Sequence, residues 1–456
     1  MTTTRSDAFI FFGATGDLAH KQTWPALAAL VKSGRLDMPI VAIGRKAVGV
    51  DAIRDKAKQS LEEAKAFDAA TFDKLARQLA YVAVDYDEPE SFRGIVTAIG
   101  VAKAPLSYVA LPPDVFEKVA SNLAAVGLAA NGRLVLEKPF GNDAASAKAL
   151  SESLYRYFPE ERIFRIDHYL GKEQVENIIY FRAANPLFEA AWNREHIEAL
   201  EITMAETFGV KGRAEFYDAV GAVRDVVQNH LLEVVTCLGM ELPESGDRAS
   251  LRKQRTSLVA QVKELRSEDL VRGQVAGYQS EKGVKGGSKT ETFAALRLFI
   301  DSPRWQGVPF FIRTGKALAL TATEAIVHFK RSEHPALEDR NAPAANALRF
   351  RLGPNSSIGL SANLKTPGEA FVGSPGELVL ERSSAGTMKP YERLLGDALE
   401  GDATQYAERA AVEQSWRVFD RALKDEATPF NYAEGSWGPA EADRVGPRGG
   451  WQNPKQ

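Results

Sequence analysis

A chain of 456 residues with 45% hydrophobic and 26% charged side chains is too long for one ordinary core and too apolar to be disordered or fibrous, so two globular domains are expected. Lysine and arginine total 57 against 60 acids, a net charge of -3, which excludes the basic excess of a general nucleic-acid or membrane-surface binder and leaves any anionic ligand to local cations. One cysteine, Cys237, excludes an intrachain disulfide and a cysteine-based metal site; no metal is expected, and no run approaches the roughly eighteen apolar residues of a membrane span.

The first element is a buried strand over Phe9–Phe12. Arg5 followed by the apolar run Ala8–Phe12 is also how a signal peptide would begin, but the run is short and leads straight into a glycine turn, so a cytoplasmic protein is expected. That turn, Gly13-Ala-Thr15-Gly16-Asp17-Leu18-Ala19, opens a helical pattern with Leu18, Leu27, Leu30 and Val31. Glycines allow a tight turn and close approach to a pyrophosphate, whose charge a helix N-terminus stabilises. The pattern departs from G-x-G-x-x-G, and a ligand-free strand–helix turn would look the same.

Further apolar runs follow at Pro39–Ile43, Leu79–Val84, Ser107–Leu111 and Leu134–Leu136. Such runs separated by helices predict a doubly wound parallel sheet of Rossmann type. The second run ends at Gly44-Arg45-Lys46. An NAD site places a carboxylate at this strand end, whereas a cation accommodates the 2′-phosphate of NADP, so NADP is favoured, with NAD possible; a solvated basic turn is the plain alternative. Glu137-Lys138-Pro139-Phe140-Gly141 closes the fifth run and puts Lys138 where such sheets bind ligands, with Pro139 a candidate for a cis peptide. Arg165-Ile-Asp167-His168-Tyr169-Leu-Gly171-Lys172-Glu173 gathers several donors suited to one phosphate. A polar surface turn would share that composition.

After about residue 175 the texture changes. A helical stretch over Asp225–Leu238 places His230 on the apolar face with Val226 and Val227, either as a satisfied core histidine or as a desolvated general base oriented by a carboxylate from elsewhere in the chain. Strands are predicted at Glu198–Met204, Phe293–Ile300, Val308–Ile312, Ala325–Phe329, Leu348–Leu352 and Ile358–Leu364, at spacings that suggest a mainly antiparallel sheet. Lys282–Ser288 is expected to be a mobile loop, and Glu400–Leu423 a helix. The expectation is an α/β domain over 1–175 that binds NADP and a larger α+β domain over 176–456.

GATGDLAHKQTWPAL, SYVALPPDVF, LEKPFG, RIDHYLGKE, VRDVVQNHL and FFIRTGKAL, in this order, with WGPAEAD near the end, resemble the glucose-6-phosphate dehydrogenase family. The resemblance implies oxidation of D-glucose 6-phosphate to 6-phospho-D-glucono-1,5-lactone with reduction of NADP, the first oxidative step of the pentose phosphate pathway. It implies that His230 removes the proton from the C1 hydroxyl and that Asp167 orients it. By the same resemblance His168, Tyr169 and Lys172 hold the phosphate, and Lys316 is a further substrate lysine. Glu206 and Asp225 hydrogen-bond sugar hydroxyls, and Thr15, Arg45, Tyr108 and Lys138 join the glycine turn as coenzyme contacts; the strand-end position of Lys138 lets it reach substrate hydroxyls as well. A homodimer, or a tetramer, is implied too. The chain departs from the family at Gln22 and Thr321, both often lysine, and at Gly353, commonly a substrate-binding glutamine. A dehydrogenase of another sugar or amino-sugar phosphate, and a non-catalytic coenzyme-binding regulator, are the alternatives.

Overall fold

The computed structural model describes residues 5–245, 247–334, 344–368, 372–381, 387–425 and 427–455. It contains two compact units, one formed by residues 1–173, 247–252 and 388–413, the other by 174–246, 253–387 and 414–456.

The first unit is built on six strands: β1 (Ala8–Phe12), β2 (Ile40–Gly44), β3 (Leu79–Ala83), β4 (Pro105–Val109), β5 (Arg133–Leu136) and β6 (Ile163–Arg165). All pair in parallel, in the order β3-β2-β1-β4-β5-β6. Along β1 the side chains alternate between two cores. Phe9 and Phe11 face Trp24, Leu27, Leu30 and Val31, whereas Ala8, Ile10 and Phe12 face Phe92, Ile95, Phe116 and Val119. A strand buried on both faces needs apolar residues at every position, which is why these runs carry no polar alternation. β6, too short and too close to charged residues to stand out in the sequence, completes the edge, where buried Arg165 is paired with Glu160 at 2.9 Å.

The helix expected over Glu400–Leu423 starts only at Arg409, and a separate helix precedes it. One helix, Pro390–Glu400, ends at Gly401, whose φ of +76° is the left-handed stop that glycine favours; the other is Arg409–Leu423. Tyr391, Leu394, Leu395, Ala398 and Leu399 of the former seal one face of the parallel sheet.

Among the described residues the second unit carries nine strands: β7 (Ile197–Ala205), β8 (Leu270–Val275), β9 (Phe293–Phe299), β10 (Pro309–Gly315), β11 (Ala322–Phe329), β12 (Ala347–Gly353), β13 (Ser357–Lys365), β14 (Gly373–Glu381) and β15 (Phe430–Tyr432). Their order is β14-β13-β12-β11-β7-β10-β9-β8-β15. The sheet is mainly antiparallel, with parallel pairs at β7/β10 and β8/β15. The predicted helix over Asp225–Leu238 begins instead as a π-helix, Val223–Leu231, and turns α-helical over Leu232–Gly239. In Lys282–Ser288, expected to be a mobile loop, the Lys285 amide and the Ser288 hydroxyl both donate to the Asp218 carboxylate. Among the described residues no helix is long and apolar enough to cross a membrane.

Candidate active site

In the first unit the parallel sheet brings all its strand C-termini to one edge, and the strand order reverses between β1 and β4, the place where doubly wound sheets hold nucleotides. The glycine turn follows β1 there. Gly13 has φ +81°, and a Cβ on it would lie 2.3 Å from the Ala110 carbonyl oxygen, so only glycine fits. The Gly16 amide donates back to Gly13 O at 3.0 Å, and the Trp24 indole pins the Ala14 carbonyl at 3.2 Å. Thr15, Gly16 and Asp17 are exposed, Leu18 half-buried, and a helical run starts immediately, with a π segment at Ala19–Thr23 that includes exposed Gln22. Arg45 and Lys46 are exposed just past the end of β2. A closely turned, solvent-facing loop at the switch point fits a nicotinamide dinucleotide, and two cations stand at the next strand end.

Tyr108, on β4, is fully buried, stacks on Phe11 at 5.4 Å and donates its hydroxyl to Glu137 at 2.8 Å. Its side chain is thus hydrogen-bonded inside the unit. Glu137 also receives a hydrogen bond from Tyr391. Burial pushes the Glu137 carboxyl up to about 7, against the pull of those two hydroxyls and of Lys138. Neither Glu137 nor Tyr391 was singled out as a site residue from the sequence. Glu137 carries no motif of its own beside Lys138, and Tyr391 lies more than two hundred positions away.

Because Leu136 of β5 pairs with Arg165 of β6, the residues that follow each strand emerge side by side: Glu137 and Lys138 from one, Ile166 and Asp167 from the other. The Lys138–Pro139 peptide is cis. Asp167 is buried and folds the next turn around itself, its Oδ1 accepting the Tyr169 amide at 2.8 Å. Burial raises its pKa, opposed by His168, Lys138, that amide and Lys172. The turn gathers the three predicted phosphate ligands: the His168 and Tyr169 rings lie 5.2 Å apart, and Lys172 Nζ sits 3.5 Å from the Tyr169 ring centroid.

In the second unit the parallel pairing of β7 with β10 sets Ala205 beside Gly315, so the residues after them, Glu206 and Lys316, meet. Lys316 Nζ is hydrogen-bonded to Glu206 Oε2 and lies 5.1 Å from the Phe208 ring centroid and 5.5 Å from that of Tyr217. Thr321 is held by Thr207, whose amide donates to its hydroxyl at 3.0 Å, and Gly353 precedes the second cis proline, Pro354. Asp225 and His230 stand on the π-helix Val223–Leu231, where i→i+5 hydrogen bonding puts residues five apart one turn above each other; Asp225 is half-buried and His230 is 3% exposed. The start of that helix is fixed by Glu291, whose Oε1 accepts the Val223 amide at 3.0 Å. Any Cβ at Gly221 would collide with that carboxylate. Burial raises the pKa of Glu291. Cys237, in the α-helical continuation, is pushed up to about 12 by burial, leaving no thiolate for chemistry.

Residues 10–177 match the family described as glucose-6-phosphate dehydrogenase, NAD binding domain, and residues 179–452 match its C-terminal domain. The chain is 38% identical to glucose-6-phosphate 1-dehydrogenase 1 of Mycobacterium tuberculosis (strain CDC 1551 / Oshkosh), covering 98% of this chain and 97% of that protein. It is similar to the crystal structure of glucose-6-phosphate 1-dehydrogenase from Mycobacterium avium, with a TM-score of 0.92, 36% identity and 99% of each chain covered. A glucose-6-phosphate dehydrogenase solved in complex with its substrate glucose-6-phosphate matches with a TM-score of 0.91 and 34% identity over 99% of this chain and 100% of that one.

Proposed function

The chain belongs to the glucose-6-phosphate dehydrogenase family, and from that membership and the side chains at the sheet edges we propose that it oxidises D-glucose 6-phosphate at C1 to 6-phospho-D-glucono-1,5-lactone. The reaction is the entry to the pentose phosphate pathway. The observation that carries the reading is the turn after β6, where an imidazole, a phenol and an ammonium converge in the unit that has the nucleotide-type crevice.

The nicotinamide coenzyme, when bound, accepts the hydride from C1. Gly13, Thr15, Gly16, Asp17 and Leu18 cradle its pyrophosphate, the Tyr108 main chain and Lys138 border it, and Arg45 selects NADP by gripping the 2′-phosphate. His168, Tyr169 and Lys172 hold the substrate phosphate through charge-assisted hydrogen bonds. Glu206, Asp225, Lys138 and Lys316 orient the sugar hydroxyls. His230 Nε2 or Nδ1 takes the proton of the C1 hydroxyl, and Asp167 orients the ring and stabilises its imidazolium form. In this reading residues 1–175 are the coenzyme domain, and residues 176–456 bind substrate and dimerise. Leu364 on β13 and Leu378, Val379 and Leu380 on β14 are exposed apolar side chains that support a homodimer through this sheet. A cytoplasmic location is consistent with a single buried cysteine.

Steady-state turnover tests the proposal. Glucose 6-phosphate with NADP should give reduced coenzyme and lactone, at a higher kcat/KM than with NAD. Turnover of another sugar phosphate but not of glucose 6-phosphate would reassign the substrate, and binding of coenzyme without turnover would make the chain a regulator.

A further inference from the structure

We propose that Tyr217 is a further substrate-positioning residue, whose phenolic hydroxyl hydrogen-bonds a ring hydroxyl of the bound sugar phosphate beside Asp225 and Glu206. The inference rests on the reading of the site as a sugar-phosphate dehydrogenase centre and adds to it a side chain that the motif pattern did not reveal.

Tyr217 lies in the short helix Ala214–Asp218 and is 4% exposed, its ring packed with Val210, Ala214 and Tyr278. Its hydroxyl is sealed from solvent and has no hydrogen-bond partner among the described residues. Native proteins leave few buried polar atoms in that condition, and phenylalanine would fill the same space without the oxygen. The neighbouring tyrosines make the contrast sharp. Tyr278 donates to Asp218 at 2.9 Å, and Tyr432 hydrogen-bonds the Lys316 carbonyl at 2.8 Å.

What surrounds the hydroxyl says what it is for. Burial, reinforced electrostatically by Asp225, Glu291, Tyr432 and Glu206, holds its pKa well above the ordinary tyrosine value. The phenol therefore stays protonated and is a neutral donor set among acceptors. Lys316, tied to Glu206, lies against the same ring. A sugar hydroxyl placed here accepts from Tyr217 while donating to a carboxylate of Asp225 or Glu206. That donor-and-acceptor role is one a polyhydroxylated substrate fills and an apolar one does not.

The test is Tyr217→Phe, assayed with glucose 6-phosphate and its 2-, 3- and 4-deoxy forms, alongside thermal unfolding. Removing a hydroxyl kept for substrate leaves the melting temperature equal to wild type or higher. It lowers kcat/KM for glucose 6-phosphate by roughly tenfold, chiefly through KM, as expected for one hydrogen bond. The loss should vanish for the one deoxy form that lacks the contacted hydroxyl. A lower melting temperature with unchanged kcat/KM, or an equal loss with every deoxy form, would overturn the proposal. Calorimetric binding of glucose 6-phosphate to both enzymes reads the same contact without turnover. Absence of wild-type turnover would count against the proposed function, whereas equal affinity of variant and wild type would count against Tyr217 alone.

Discussion

Tyr108 and Tyr217 are both sealed from solvent, one in each unit, yet only Tyr108 has its hydroxyl satisfied inside the protein. Tyr108 donates to Glu137 in a cluster completed by Tyr391, so burial is matched by hydrogen bonding. Tyr217 lies among carboxylates without a hydrogen-bond partner among the described residues. A satisfied polar cluster stabilises the fold around a site, whereas an unsatisfied one costs stability and is retained where a ligand completes it. Arg165 is paired with Glu160 at the sheet edge, and Lys172 and His168 both pack against the Tyr169 ring.

Substitutions should separate the two classes, beginning with the largest effect. His230→Asn should lower kcat by roughly 10²–10⁴-fold, the usual worth of a positioned base, while melting temperature and substrate affinity stay near wild type. Near-normal kcat would return His230 to the structural class, a core histidine. Lys172→Ala should cost on the order of 1.5–3 kcal/mol in kcat/KM for glucose 6-phosphate, with little change for free glucose. An equal loss with both sugars would show that Lys172 shapes the turn and does not grip phosphate.

Tyr108→Phe is the mirror of the Tyr217 variant. It leaves Glu137 short of a donor and should destabilise the protein by about 1–3 kcal/mol, read as a drop in melting temperature, with kcat/KM little affected. Should activity fall instead while stability holds, the division between the two tyrosines fails. Arg45→Ala should raise KM for NADP severalfold and leave NAD nearly untouched, because only NADP carries the 2′-phosphate.

Glu137 gives a pH signature. Its folded-state pKa of about 7 lies above the ordinary carboxylate value of 4.5, so the folded protein binds the proton more tightly than the unfolded chain. Stability from this group is fully present below about pH 4.5 and is lost as pH rises towards about 7, by at most about 3 kcal/mol. Glu137→Gln should flatten that part of the stability-versus-pH curve. An unchanged slope would place the Glu137 proton elsewhere.

Much of this was legible in the residues because parallel strands buried on both faces must be continuously apolar, as at Phe9–Phe12 and Ile40–Ile43. The elements without a sequence signal lack that pressure. β6 is three residues long and contains an arginine, β14 is exposed along nearly its whole length, and β15 is a three-residue edge. The π-helical register of Val223–Leu231 depends on how Glu291 holds its first turn, a contact 68 positions away in sequence. The loop at Lys282–Ser288 read as mobile from glycine and lysine content, since the tie to Asp218 has no local signature. At the candidate site the motif residues were visible as clusters of unusual side chains. Tyr217 was not, because a buried tyrosine shows its missing partner only in three dimensions.

The most direct measurement follows the hydrogen at C1. Glucose 6-phosphate carrying deuterium at that carbon should deliver the label to the reduced nicotinamide, with lactone formed in equal amount and a slower chemical step. Label retained in the sugar product, or released to water while coenzyme is reduced, would contradict hydride transfer from C1 and with it the proposed function.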